Sequence, residues 1–388
     1  MPGFWMPVLA IVLEARGWDY LTDWVFVISP AGAIISPLFF GVLADQRMNA
    51  EKVLAALLFL SSLCLAASFW FLEKGSSPGW FLFFLCLKSL IGAPAWSLIT
   101  SITLSQLAQP ERQFGVVRVW GTVGWMVAGW VVSGLALDQS PITGLIAAGL
   151  GLVAAGASLA LPPSPPEGKT GSSLVDRLGL RAFGVLKDRD TAVYFLTAFL
   201  FSVPLAAYYP YSAKYLKFLG VENVARFMSL GQVSEVVGML LMGWVLRKMR
   251  VKWVFLLALT AGLLRYLLYA MTTWGEMPSA GLLVGMGVGV FMHGFCWTLF
   301  FESGRLFVDR RVVKSMRSQA QALLTVWSSG VATIVGVFLS GALYRWSLRP
   351  GGPGWSFFWL VLAALCGGAT LVFFLGYRTQ IPKKGEGV

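Results

Sequence analysis

The chain has 388 residues, 57% of them hydrophobic and only 12% charged, with a mean hydropathy of +0.73. Soluble domains carry about 25% charged residues, and one soluble core cannot hide this much apolar side chain; lipid is the solvent that removes the problem. The formal net charge of +12 does not mark a nucleic-acid binder, because the basic residues are split among short loops with no basic stripe or stacking platform.

Cys64, Cys86, Cys296 and Cys366 all lie inside apolar runs, without metal-ligand spacing, and the chain has one histidine. Metal chemistry and disulfides are therefore not expected, and the thiols read as small apolar fillers. No nucleophile, triad or phosphate loop is visible. The run Gly285-Met286-Gly287-Val288-Gly289 sits in an apolar segment and reads as a helix-packing surface. Neither an enzyme nor a cofactor is expected.

A membrane helix needs about 20 mainly apolar residues. Residues 1–13 are apolar but too short to cross. They read as a first helix whose opening half is missing; the alternative, a signal peptide, needs a basic opening that Met1-Pro2-Gly3-Phe4-Trp5 lacks. Eleven full spans follow, at 21–44, 52–73, 79–107, 114–137, 142–161, 191–213, 222–246, 253–273, 280–301, 317–344 and 355–377.

Residues 162–190 interrupt the pattern with Pro, Gly and charges, and Leu174–Val185 is expected to form a short amphipathic surface helix. This linker leaves six spans on each side, counting the partial one. The expected organisation is an N-terminal bundle over 1–161, a cytoplasmic linker over 162–190, and a C-terminal bundle with a short tail over 191–388. An all-α integral membrane protein of two six-helix bundles is the major facilitator plan. The loop after the second span of each half agrees. Gly41-Val-Leu-Ala-Asp45-Gln-Arg47 resembles that superfamily's G-x-x-x-D-R gate motif with Gln46 inserted, and Gly243 to Arg250 keeps the glycine and basic residues without the acid. Gly41, Asp45 and Arg47 are therefore the expected gate.

With the loop after 21–44 taken as cytoplasmic, 19 Lys and Arg fall on that side and 7 on the other. The positive-inside rule then puts the C-terminus inside, and the N-terminus as well if the first helix is complete. The expected location is a bacterial cytoplasmic (inner) membrane.

Charged groups deep in a span cost about 2.5–3.5 kcal/mol on insertion scales, so each is a candidate functional residue. Arg118, Thr122 and Trp125 are spaced i, i+4, i+7, which sets a cation, a hydroxyl and an aromatic on one helical face, suited to a planar polar solute. The alternative for Arg118 is snorkelling to headgroups. Glu235 lies mid-span, about 15 Å or more from either end, with Gln232 one turn before it. A carboxylate there suits proton coupling, and the amide suits a polar solute; an ion pair with Arg265 is the alternative. His293 and Trp297 share a face at i, i+4, where the imidazole either contacts solute, relays a proton or packs against a carbonyl. Glu302 with Arg305 reads as a gate or structural pair, and Lys88 and Arg265 as snorkelling or internally paired cations.

Three runs together resemble the bacterial nucleoside:proton symporter family of the major facilitator superfamily. They are Arg118-Val-Trp-Gly-Thr122-Val-Gly124; Gln232-Val-Ser-Glu235 with Leu264-Arg265-Tyr266; and His293-Gly294 followed by Ser303-Gly304 and Phe307-Val308-Asp309, with Ser318 to Gln321 beyond. The resemblance covers nearly the whole chain. It implies a nucleoside site between the halves, in which Arg118, Thr122 and Trp125 contact the solute. It also implies that Gln232 and Glu235 bind nucleoside and couple protons, and that His293 and Trp297 line the opposite wall. Two departures stand out. Thr298 replaces the family's usual Asp, and Pro204 to Tyr211 lacks its usual amides. The expected function is proton-coupled nucleoside uptake by alternating access, with nucleoside-like solute, proton and bilayer as partners and no nucleic acid. The alternatives are a carrier for a sugar or drug, or a non-transporting receptor.

Overall fold

The computed structural model describes residues 1–46, 48–108, 110–165, 180–272, 279–313, 316–349 and 352–378, with backbone alone over 37–46 and at 104, 110–112, 114–115, 180–182, 279–280, 318, 349 and 352–353. Helices dominate. Before the linker they are α1 (Leu9–Ala15), α2 (Thr22–Gln46), α3 (Ala50–Lys74), α4 (Pro78–Gly92), α5 (Ala95–Gln106), α6 (Pro110–Gly134) and α7 (Ile142–Ser158). After it come α8 (Arg189–Leu205), α9 (Ala213–Phe218), α10 (Val224–Met228), α11 (Leu230–Lys248), α12 (Val251–Met271), α13 (Ser279–Cys296), α14 (Ser303–Asp309), α15 (Arg317–Leu324), α16 (Ala332–Ser347) and α17 (Trp355–Gly376). Among the described residues, 9 helical stretches are long and apolar enough to cross a membrane, and Ile142–Ser158 is a shorter apolar helix.

Local chemistry sets the boundaries. Helix α3 has Glu51 in its first turn and Lys74 in its last, matching the helix dipole, and it stops at Gly75 with φ 61, where a left-handed residue is needed. Helix α4 opens on Ser77, whose Oγ accepts from the Trp80 amide, with Pro78 in the first turn. The span that the sequence places at 79–107 is one apolar helical stretch, Pro78–Thr103, with a turn at Ala93 and Pro94 between α4 and α5. In place of a helix over 1–13, a 3-10 turn at Pro2–Phe4 precedes α1, whose Leu9 to Leu13 are buried. Of the linker helix expected at 174–185, the part up to 179 lies outside the described residues, and Leu180–Lys187 forms a 3-10 segment. A two-residue pairing, Leu348 with Pro353 and Arg349 with Gly352, closes the turn before α17.

The chain divides into two compact units, Met1–Leu178 with Tyr209–Arg226, and Gly179–Tyr208 with Phe227–Val388. In the first, α3 packs along α7 and α4. Ser68 Oγ donates to the Phe81 carbonyl at 2.9 Å and Ser89 Oγ to the Ile28 carbonyl at 3.1 Å, so these buried hydroxyls are satisfied without water. In the second, α12 packs against α13 and α17. Its aromatic core is built around Tyr194, Phe255 and Phe300, with ring centroids 5.1–5.4 Å apart. Asp188 caps α8, accepting from the Thr191 amide at 2.9 Å and the Thr191 hydroxyl at 2.6 Å, and Arg311 pairs with it.

Tyr209–Arg226 groups with the first compact unit. The physical reason is a set of long-range polar bonds. Lys214 Nζ lies 2.5 Å from Asp19 Oδ1 and 3.2 Å from Thr22 Oγ1, and Tyr211 Oη donates to Asp23 Oδ1 at 3.0 Å. Asp138 Oδ1 accepts from the Ala225 amide at 2.7 Å and from Ser133 Oγ at 3.0 Å, while Ser133 Oγ accepts from the Arg226 amide at 2.9 Å. Upstream, α8 ends just after Pro204, and a π segment at Tyr208–Ser212 leads into α9.

Candidate functional site

In the first unit, helix α6 carries Arg118, Thr122 and Trp125 at the expected spacing. The Arg118 guanidinium is half-buried and lies over the Trp96 ring of α5, 4.5 Å from its centroid. Thr122 is buried, and Trp125 is half-buried with its Nε1 buried and without a hydrogen-bond partner. A Cβ on Gly3 would sit 3.0 Å from the Trp125 backbone and 3.1 Å from its ring, so glycine lets the first turn close on this tryptophan. Tyr209 meets the Trp125 ring at 6.0 Å, tilted 39°. Nearby in chain order, Lys88 Nζ lies 5.2 Å from the buried Trp5 ring, a cation–π contact where snorkelling or an ion pair is expected from sequence.

In the second unit, α11 and α13 touch at Gly294. A Cβ there would run into the Glu235 amide, the Gly231 carbonyl and Ser234 Oγ. This close approach sets the α11 backbone from Gly231 to Glu235 against α13 at His293 and Gly294. Gln232 is buried; Glu235, His293 and Trp297 are half-buried. Trp297 opens a π segment, Trp297–Glu302, and packs on Phe301 at 5.1 Å; such segments interrupt helices frequently at functional sites. Thr298 is fully buried and its hydroxyl donates to the Gly294 carbonyl at 2.7 Å, so at this position the chain carries a satisfied hydroxyl and not an acid.

Sequence reasoning underrated two residues here. Arg265 does not snorkel: it is 0% exposed, and its Nη1 lies 2.7 Å from His293 Nδ1. Its guanidinium carbon is 4.5 Å from the Tyr266 ring and 4.9 Å from the Tyr208 ring. Tyr208 itself stacks on His293, with centroids 3.7 Å apart and planes 16° apart. The Tyr-rich run Tyr208-Tyr209-Pro210-Tyr211 is the signal that pointed to it, since aromatic rings stand where amides were expected. Guanidinium nitrogens only donate, so in this contact the acceptor is His293 Nδ1. Glu302 and Arg305 approach only to 3.9 Å, and Arg305 also reaches Thr325 Oγ1 at 3.4 Å. Of the expected gate, Gly41 and Asp45 fall in α2 where only backbone is described, and Arg47 lies outside the described residues.

Apolar spans grouped in two helical units define an all-α integral membrane protein. The fold is that of the nucleoside transporter NupG: the crystal structure of a mutant of that protein matches with a TM-score of 0.86 and 23% identity, over 97% of this chain and 96% of that one. A second NupG crystal structure matches over the same shares with a TM-score of 0.80. Residues 1–381 match the nucleoside H+ symporter family model, and the chain belongs to that family. It is 29% identical to the putative nucleoside transporter YegT of Escherichia coli (strain K12) over 97% of this chain and 90% of that protein. It is likewise 29% identical to the xanthosine permease of the same organism, over 89% of this chain and 84% of that one.

Proposed function

We propose that this member of the nucleoside H+ symporter family takes up a nucleoside with a proton by alternating access, and that the residues above divide the work. Arg118, Thr122 and Trp125 hold the solute from the first unit. An aromatic guanidinium platform and an unpartnered indole N–H suit a planar base bearing acceptor oxygens. In the second unit Gln232, His293 and Trp297 contact the solute and Glu235 exchanges the proton. The observation that carries this reading is the Glu235 cluster. A carboxylate deep in a span stands one turn from a buried amide, and its backbone packs against Gly294, next in the chain to an imidazole whose Nδ1 faces Arg265. Protonation removes the cost of a charge at that depth, which links proton and solute through one group.

The xanthosine permease and the NupG permeases carry names that point to nucleosides, which supports the solute class. The location in this reading is a bacterial inner membrane with both ends of the full-length first and last helices facing the cytoplasm. The division of bundles is at the 162–190 linker, with Gly41, Asp45 and Arg47 as the gate. A binding screen on purified protein, nucleosides against sugars, tests the solute. Saturable nucleoside binding with sugars inert is the expected result, and sugar binding without nucleoside binding sinks it.

A further inference from the structure

We propose that Arg265 is a positioning residue: its bond to Nδ1 fixes His293 as the neutral ring bearing its hydrogen on Nε2. In that form His293 serves the solute as a donor and stays out of the proton cycle. The solute role of His293 rests on the function proposed above; the protonation state does not.

Three observations carry it. First, the 2.7 Å contact between Arg265 Nη1 and His293 Nδ1 is compatible with one arrangement only, because a proton on Nδ1 would point an N–H at an N–H of a permanent cation. Second, the guanidinium is held from several sides. It is fully buried, flanked by the Tyr208, Tyr266 and Tyr269 rings, and Nη2 donates to Tyr266 Oη at 3.4 Å. Tyr266 Oη is in turn anchored on the Pro204 carbonyl at 2.7 Å. Third, the imidazole plane is fixed by the stacked Tyr208 ring, whose hydroxyl donates to the Met228 carbonyl at 3.3 Å. Among the described residues, the titratable and charged groups near His293 include Arg265, Tyr266 and Tyr269 from α12, Tyr208 from the π segment, Cys296 from its own helix, and Glu235 on the α11 segment that packs on Gly294. Of these, Glu235 is the one carboxylate, and the proton cycle falls to it.

His293 is the only histidine in the chain, so protein labelled with nitrogen-15 histidine gives the spectrum of this ring alone. In wild-type protein in lipid nanodiscs, Nε2 is expected to be protonated and Nδ1 unprotonated, unchanged from about pH 5 to about pH 8, the range in which histidine ordinarily titrates. Arg265→Lys, which keeps a donor, is expected to preserve that spectrum. Folded Arg265→Met is expected to show a ring that titrates within the window. A wild-type ring protonated at Nδ1 or titrating there overturns the proposal, and so does a folded Arg265→Met protein with an unchanged spectrum; if that variant does not fold, the wild-type spectrum decides. For the donor role the probe is inosine. His293→Leu is expected to weaken binding about tenfold and His293→Gln, which keeps an amide donor, by less. Equal binding by wild type and His293→Leu overturns that role. A wild type that binds neither inosine nor any other nucleoside overturns the donor role together with the nucleoside reading, an outcome separate from the spectrum.

Discussion

Arg118 and Trp125 sit two turns apart on α6, and each offers something a planar solute can use: a guanidinium already lying over Trp96, and an indole N–H that is buried without a partner. Replacing Arg118 by Ala removes the cation and leaves Trp96 uncovered. Uptake is expected to be abolished while membrane insertion and elution as a folded protein are retained; normal transport by Arg118→Ala would remove it from the site. Trp125→Phe keeps the ring and deletes the N–H, so nucleoside affinity is expected to fall about tenfold, the worth of one hydrogen bond, in equilibrium binding. These residues were legible in the sequence because a cation, hydroxyl and aromatic at helical spacing announce a shared face. Arg265 was visible as a charge in a span, but its role was not. That role depends on His293, 28 positions away, and on tyrosines brought in by a neighbouring segment, which no local spacing encodes.

At the scale of elements, span positions follow from apolar length, and most helices begin and end within a few residues of expectation. The exceptions have physical causes. Pro94 puts a turn inside one span, between α4 and α5, and the π segments at Tyr208–Ser212, Trp297–Glu302 and Thr325–Val331 change the local hydrogen bonding without changing the length of the span. The docking of 209–226 on the first unit was equally hidden, because it rests on Asp138 and Ser133 meeting the Ala225 and Arg226 amides. Asp138→Ala leaves the Ala225 amide and the Ser133 hydroxyl without this acceptor. The expected cost is about 1–3 kcal/mol, read as a lower unfolding midpoint in detergent and faster amide exchange over 209–226. Burial pushes the Asp138 carboxyl up, outweighing the Ala225 and Ser133 hydrogen bonds that pull it down. A raised carboxyl means that the folded state holds its proton more tightly than the unfolded one. Stability from this group is therefore full below the ordinary value of about 3.9 and falls as pH rises from there through the raised value. Asp138→Asn, a mimic of the protonated acid, is expected to be tolerated; an Asn variant as unstable as the Ala variant would contradict this account.

For the whole molecule, the claim is that proton and solute are linked through Glu235. The carboxylate lies on α11 one turn from Gln232 and beside α13, where His293 is occupied by Arg265. A solute that prefers one protonation state of Glu235 must shift its proton equilibrium, and a proton gradient must then drive the solute. Glu235→Gln fixes the neutral state. Solute binding should survive at least weakly, and so should exchange of solute across the membrane, because that cycle does not release the proton. The deciding measurement is nucleoside uptake into proteoliposomes with and without an imposed pH gradient, wild type against Glu235→Gln. The account predicts that wild type accumulates nucleoside only with the gradient and that Glu235→Gln equilibrates nucleoside without accumulating it. Gradient-dependent accumulation by the Glu235→Gln protein would place the coupling group elsewhere and contradict the account.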